Sequence, residues 1–179
     1  MGYLIAFTLL VALGSWVVSS YLRLIHLYER VQGAWLQWSQ AAQQRNECLR
    51  QFVTEFGAGF PQEAELFSDM HRRELDSCRV LKAFPSAPRE GDFGSIAEAE
   101  RYLRRAVSYS VHAVETAGSL QQNQQLASLC SEMSVSMYRQ DEQMLLYKRF
   151  AIEYNNALYS PGARIVAGVF GFSPVAVGR

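Results

Sequence analysis

The sequence is short of the features that catalysis, secretion and nucleic-acid binding leave behind. It has no excess of one charge, since seventeen basic and seventeen acidic side chains cancel over 179 residues. That balance argues against the one-sided Lys/Arg footprint of a nucleic-acid binder. Its three cysteines, Cys48, Cys78 and Cys130, are odd in number and widely spaced, so they make no closed disulfide framework. There is no CxxC, no phosphate-cradling glycine loop, no GxSxG and no HExxH. No β-alternation of useful length appears, which removes a sheet-based fold. Most telling, no charged residue lies between Met1 and Leu22. What is there is apolar: 49% hydrophobic against 19% charged excludes a disordered chain.

Gly2 to Leu22 is a charge-free run of 21 residues. A bilayer core of about 30 Å needs about 20 helical residues, so the run is long enough to span. Tyr3 at one end, with Trp16 and Tyr21 toward the other, suits the aromatic belts of the two interfaces. A cleaved leader, with Val18-Ser19-Ser20 as its site, is disfavoured. It would need a basic n-region and an apolar run of only about 7–15 residues. Arg23 and Arg30 follow the span, which by the positive-inside rule predicts a cytoplasmic body behind a single-pass anchor. Unpaired cysteines agree with a reducing compartment.

The helix is expected to continue past the membrane surface. No proline interrupts Arg23 to Phe56, and the first break is Gly57-Ala58-Gly59 before Pro61. Alternating steps of three and four pick out Leu24, Tyr28, Val31, Trp35, Trp38, Ala42, Arg45, Leu49, Phe52 and Phe56, a coiled-coil-like stripe with one polar member. One helix of about 55 residues follows, half in lipid and half in water. A matching stripe runs through Leu126, Cys130, Met133, Met137, Gln140, Met144, Tyr147, Ala151, Tyr154 and Leu158, and Pro161-Gly162 should end it.

Two shorter helices are expected between these. Glu63 to Phe84 carries Leu66, Met70, Cys78 and Leu81, and Ser95 to Ala117 carries Ile96, Leu103, Ala106, Val107, Val111 and Val114. Their linker is Pro85 to Asp92, and Ser95 with Glu98 fits a capping box. Gln121-Gln122 and Gln124-Gln125 suit a solvated helix start or turn. The fold expected is all-α: a transmembrane helix continuing into an elongated, antiparallel up-down four-helix bundle. Residues 1–22 would form the anchor, 23–160 the bundle and 161–179 an apolar tail. That tail, Arg164 to Phe172, is too short to span and either docks on the bundle or lies in the lipid interface.

Arg30-Val31, Ala34-Trp35, Gln37, Arg45 and Val53 are similar to the opening helix of the LemA family. Tyr147, Tyr154-Asn155 and Phe170-Gly171-Phe172 are similar to its paired tyrosine-asparagine signature and closing phenylalanine-glycine-phenylalanine. Leu120, Asn123, Leu129, Glu132 and Arg139 keep the spacing between. Ser39, Gln40, Arg50, Met137, Lys148 and Pro161 depart from the usual pattern, so the resemblance is to a divergent member. It implies a bacterial, membrane-anchored, all-helical body without established enzymatic activity.

Arg45, alone in an apolar stripe, leaves two readings open. It either pairs across the bundle with Gln140, Asp141 or Glu142, or snorkels outward along its stem. Trp35, Trp38, Tyr147 and Tyr154 are expected in the core between the long helices. A di-metal bundle needs glutamate followed three residues later by histidine. His71 with Glu74 and His112 with Glu115 have the reverse order, which reads as helix-surface pairs. No cofactor, metal or catalytic residue is expected. The expected partners are the lipid bilayer and other membrane subunits or further copies of the chain. The function expected is interaction or scaffolding within a membrane assembly. A membrane-shaping or lipid-contacting role through the tail is the alternative, and a metal-binding enzyme the remoter one.

Overall fold

The computed structural model describes residues 2–57, 64–89, 91–116 and 124–178. Expectations about Ala58, Gly59, Pro61, Glu63, Glu90, Ala117, Leu120, Gln121, Gln122 and Asn123, and about the Phe56 side chain, lie outside the described residues. Among the described residues there are five helices and no strand. They are α1 (Gly2–Phe56), α2 (Ala64–Ala83), α3 (Phe93–Thr116), α4 (Gln124–Tyr159) and α5 (Pro161–Phe170).

Helix α1 runs unbroken for 55 residues, as the absence of proline predicts. It is long and apolar enough near its N-terminus to cross a membrane, and no residue of its most apolar stretch is buried inside the rest of the chain. From Leu24 onward the same helix enters the core of a helical bundle, where Leu24, Val31, Trp35, Trp38, Leu49 and Phe52 are almost wholly buried.

Side-chain contacts fix the direction of each neighbour. Trp35 meets Tyr147, Tyr28 meets Tyr154, and Gln125 donates to Glu55, so α4 runs antiparallel to α1. Trp35 Nε1 donates to the Phe84 carbonyl while Phe52 packs on Phe67, so α2 also runs against α1. Ser77 reaches Glu100 and Arg73 covers Tyr102, which makes α3 antiparallel to α2.

Apolar burial falls into two clusters. The proximal one, nearer the N-terminal apolar segment, joins Leu24 to Ala42 of α1 with Leu81, Phe93, Ile96, Tyr147, Tyr154 and the tail. The distal one joins Cys48, Leu49 and Phe52 with Phe67, Met70, Leu103, Val107, Leu126 and Met133.

Three local expectations are corrected. In α2 the buried stripe is Phe67, Met70, Glu74, Ser77 and Leu81, while Leu66 is exposed and Cys78 sits at the flank. Met70 and Leu81 lie inward as expected, but polar Glu74 and Ser77 share their face, which apolar spacing alone does not mark. Helix α3 starts two residues before Ser95, which bonds back to the Asp92 carbonyl within the first turn instead of serving as the N-cap. Pro161 does not only end a helix. With α4 stopping at Tyr159, its fixed φ and missing N–H suit the first position of α5. Gly171, at φ 74°, then closes α5 with a left-handed cap that few other residues adopt.

Candidate functional site

Two constellations bring the singled-out polar residues together. The first is a buried polar layer between the two apolar clusters. Arg45, only 3% exposed, extends its guanidinium across the bundle rather than outward. Its Nη1 donates to Gln140 Oε1 and to Glu100 Oε2, and its Nη2 to Glu100 Oε1 at 3.0 Å and Ser77 Oγ at 3.1 Å. Nε and Nη2 both reach Asn46 Oδ1. Gln140 Nε2 and Ser77 Oγ donate in turn to the Glu100 carboxylate, at 2.7 and 3.0 Å. Each of the four long helices contributes, α1 with Arg45 and Asn46, α2 with Ser77, α3 with Glu100 and α4 with Gln140.

Of the two readings of Arg45, the structure shows pairing, with Gln140 among the partners. Asp141 instead pairs with Arg104 on the surface, and Glu142 is exposed. The main partner, Glu100, was not anticipated. The signal was present: Phe93, Ile96, Glu100, Leu103, Val107, Ser110 and Val114 follow three-four spacing, with Glu100 on the stripe.

The electrostatics follow from this enclosure. Burial pushes the Glu100 carboxyl up, but Arg45 beside it, with hydrogen bonds from Arg45, Gln140 and Ser77, outweighs that and holds it below its ordinary 4.5. A guanidinium and a carboxylate so enclosed neutralise one another, and their polar atoms are engaged within the layer. The arrangement aligns four helices. It offers no unengaged base or nucleophile.

Next to the layer, Asn46 Nδ2 donates to Cys78 Sγ, and Cys78 donates to the buried Glu74 carboxylate at 3.1 Å. His71 Nδ1 lies 3.5 Å from the other Glu74 oxygen. His112 and Glu115 line a separate cleft of about 530 Å³ between α3 and α4, so the two histidine-glutamate pairs do not converge. Among the described residues no group of three or more His, Cys, Asp or Glu side chains is placed to hold a metal.

The cysteines are unpaired. Burial, with the Glu132 carboxylate and Cys130 nearby, pushes the Cys48 thiol up to about 11. Burial also raises Cys78 and Cys130. All three are therefore protonated, poorly nucleophilic thiols at neutral pH. In a thiol count with a chromogenic disulfide at pH 8, the native protein should react slowly and the denatured protein should yield all three. An immediate native reaction at Cys48 or Cys130 would contradict this packing.

The second constellation fastens the C-terminal tail. Tyr147, with no exposed surface, donates its hydroxyl to the Ala176 carbonyl at 2.6 Å, and Tyr154 donates to the Ser173 carbonyl at 3.1 Å. Asn155 holds Val175 from both sides, accepting its N–H at 3.1 Å and donating to its carbonyl at 2.8 Å. Ala176 N–H donates to the Pro88 carbonyl, and Val175 makes a single antiparallel bridge with Arg89. The α2–α3 linker is tied to α1 in turn, Trp35 donating to Phe84 and Gln32 accepting from Ala87 N–H.

Burial raises both phenols, Tyr154 to about 12 with a further push from Tyr28, so both remain hydrogen-bond donors across the physiological range. Every one of these bonds to the tail goes to its backbone. Trp35 and Trp38 pack at a tilt of 35° with ring centroids 4.6 Å apart, and Tyr147 lies edge-on to Trp35. These four aromatics lie in the core. Phe172 is half-buried against Tyr21, whereas Phe170 touches Tyr21 and is 51% exposed.

The sequence matches no family model and no curated protein.

Proposed function

We propose that this chain is a single-pass membrane protein, a divergent relative of the LemA family, whose helical body serves as an interaction or scaffold subunit of a membrane assembly. In this reading α1 to α4 form an up-down four-helix bundle standing on the anchor. The observation that carries the reading is the continuity of α1. A bare apolar segment passes without a break into the most buried stripe of the body. Such a rigid connection holds the bundle at a fixed height and angle above the lipid, which suits a positioned docking element.

The same continuity supports an uncleaved anchor. Val17 and Tyr21 pack against the proximal core on either side of Val18-Ser19-Ser20, so removing the leader there would strip cover from the body. A cytoplasmic body is the orientation that Arg23 and Arg30 favour. The closed polar layer, with its charges engaged among themselves, supports a structural rather than catalytic role for Arg45 and Glu100.

Extraction of native membranes in mild detergent tests the proposal. The protein should be recovered with other membrane subunits or with further copies of itself. A monodisperse lone monomer under those conditions would overturn the scaffold reading.

A further inference from the structure

Helix α5 is the most apolar element after the N-terminal segment, and its position in height is fixed by two contacts. At its start, Gly162 lies so close to Trp16 that a Cβ there would fall 2.4 Å from the indole Cζ2. Near its end, Phe170 packs on Tyr21 with ring centroids 4.6 Å apart. Trp16 to Tyr21 is about 7.5 Å of rise on α1, and Gly162 to Phe170 about 12 Å along α5. The chain therefore drops from α4 to the level of Trp16, and α5 climbs back obliquely to the level of Tyr21. Both levels lie inside the charge-free run that ends at Leu22.

At that height α5 has two faces. Val166 and Ala167 are buried against the body, while Ile165 and Val169 are 66% and 75% exposed. Among the described residues, the full charges near this level are Arg23 and Arg164, both exposed. No Asp or Glu precedes Glu29, and none occurs between Glu153 and Gly178.

We infer that α5 is a second membrane contact, an interfacial helix whose Ile165, Val169 and Phe170 face enters the acyl-headgroup boundary of a phospholipid leaflet while Arg23 and Arg164 lie at the phosphates. The inference rests on the proposed anchor: if α1 spans, the level of Trp16 to Tyr21 is within the outer part of the bilayer, and whatever faces outward there meets lipid. A helix buried about 5–10 Å into that boundary is bound by its apolar face and by cationic contacts to anionic headgroups. Two attachment points, one spanning and one interfacial, fix the rotation of the bundle about the anchor axis, which a single helix leaves free.

The test places nitroxide labels on the full chain at Val169→Cys, Leu10→Cys and Tyr138→Cys, one at a time, in vesicles of phosphatidylcholine and phosphatidylglycerol. The unsubstituted chain carried through the same labelling sets the background. Collision with oxygen, which enters the bilayer, is compared with collision with a water-soluble nickel chelate. At Val169→Cys, nickel collision should fall several-fold below that at Tyr138→Cys while oxygen collision stays high. Nickel collision at Val169→Cys equal to that at Tyr138→Cys, with Leu10→Cys shielded, would overturn the inference and leave the anchor standing. Low collision with both probes at Val169→Cys would mean that protein covers the face, and would also overturn it. Nickel access at Leu10→Cys would overturn the anchor and this inference together.

Discussion

Replacing Arg45 with methionine is expected to destabilise the body by about 3–5 kcal/mol, because it removes one partner of a buried ion pair and leaves the other behind. The Glu100 carboxylate would keep hydrogen bonds from Gln140 and Ser77 but lose its countercharge. Asn46 Oδ1 would lose both of its guanidinium donors. Thermal or denaturant unfolding of the full chain in detergent micelles, followed by circular dichroism, measures the loss. A double variant, Arg45→Met with Glu100→Leu, should recover a good part of it, since exchanging a whole buried pair for apolar groups is often neutral. A change below about 1 kcal/mol for Arg45→Met would mean that the guanidinium finds water in solution along its aliphatic stem.

The same pair sets a pH dependence. The Glu100 carboxyl titrates below its ordinary 4.5 in the folded state, so the unfolded chain takes up the proton first as pH falls. The stability it contributes is thus complete above 4.5 and is lost on acidification through the lower, folded value. In Glu100→Gln that portion of the acid sensitivity should disappear. What the layer adds beyond stability is alignment. It sits at the boundary between the proximal and distal clusters on all four long helices: between Ala42 and Cys48, Met70 and Leu81, Ile96 and Leu103, and Met133 and Tyr147. A shift of any helix by one turn would move a charged, amide or hydroxyl group into an apolar cluster, at the cost of an unpaired buried polar group. Register is therefore selected by the layer, while the clusters supply most of the burial.

Helical content was legible in the sequence because three-four periodicity and missing prolines are local properties. Helix α1 needed only those two, and its length follows from them. Arg45 and Gln140 were legible as a pair because both interrupt apolar stripes and lie at similar heights. Glu100, Ser77 and Asn46 were not, because apolar spacing passes over polar residues on the same face, and α2 has too few large apolar residues to fix its inward face. Helix α5 was hidden for a different reason. Pro161 and Gly162 read as a stop, yet proline is favoured at the first turn of a new helix, and Gly162 is where α5 makes its closest approach to Trp16. The role of Tyr147, Tyr154 and Asn155 lay beyond local reading altogether. Their partners are backbone groups of residues 173–176, some twenty to thirty positions away, and backbone acceptors carry no side-chain signature.

That last arrangement makes ending the chain at Phe172 a severe change for a segment of so few residues. Truncation removes the buried Val175 and Ala176 side chains from the proximal cluster. It also leaves the Tyr147 hydroxyl, fully enclosed beside Trp35 and Phe93, without the carbonyl that accepts from it. Asn155 loses both of its bonds to Val175, and Pro88 loses the N–H of Ala176. An unpaired buried polar group costs about 1–3 kcal/mol, and water entering the vacated groove relieves part of that, so the expected loss is about 3–5 kcal/mol. Tyr147→Phe in the full chain separates the contributions. It removes the hydroxyl and leaves Ala176 its place, and should cost about 1–2 kcal/mol. The α2–α3 linker gives a second readout, because the tail bridges it at Arg89 and Pro88: amide hydrogen exchange from Phe84 to Asp92 should accelerate in the truncated chain and change little in Tyr147→Phe. An unfolding midpoint that survives truncation unchanged would make the tail a removable cover, and the aromatic pair would then be satisfied by packing against Trp35 and Tyr28 alone.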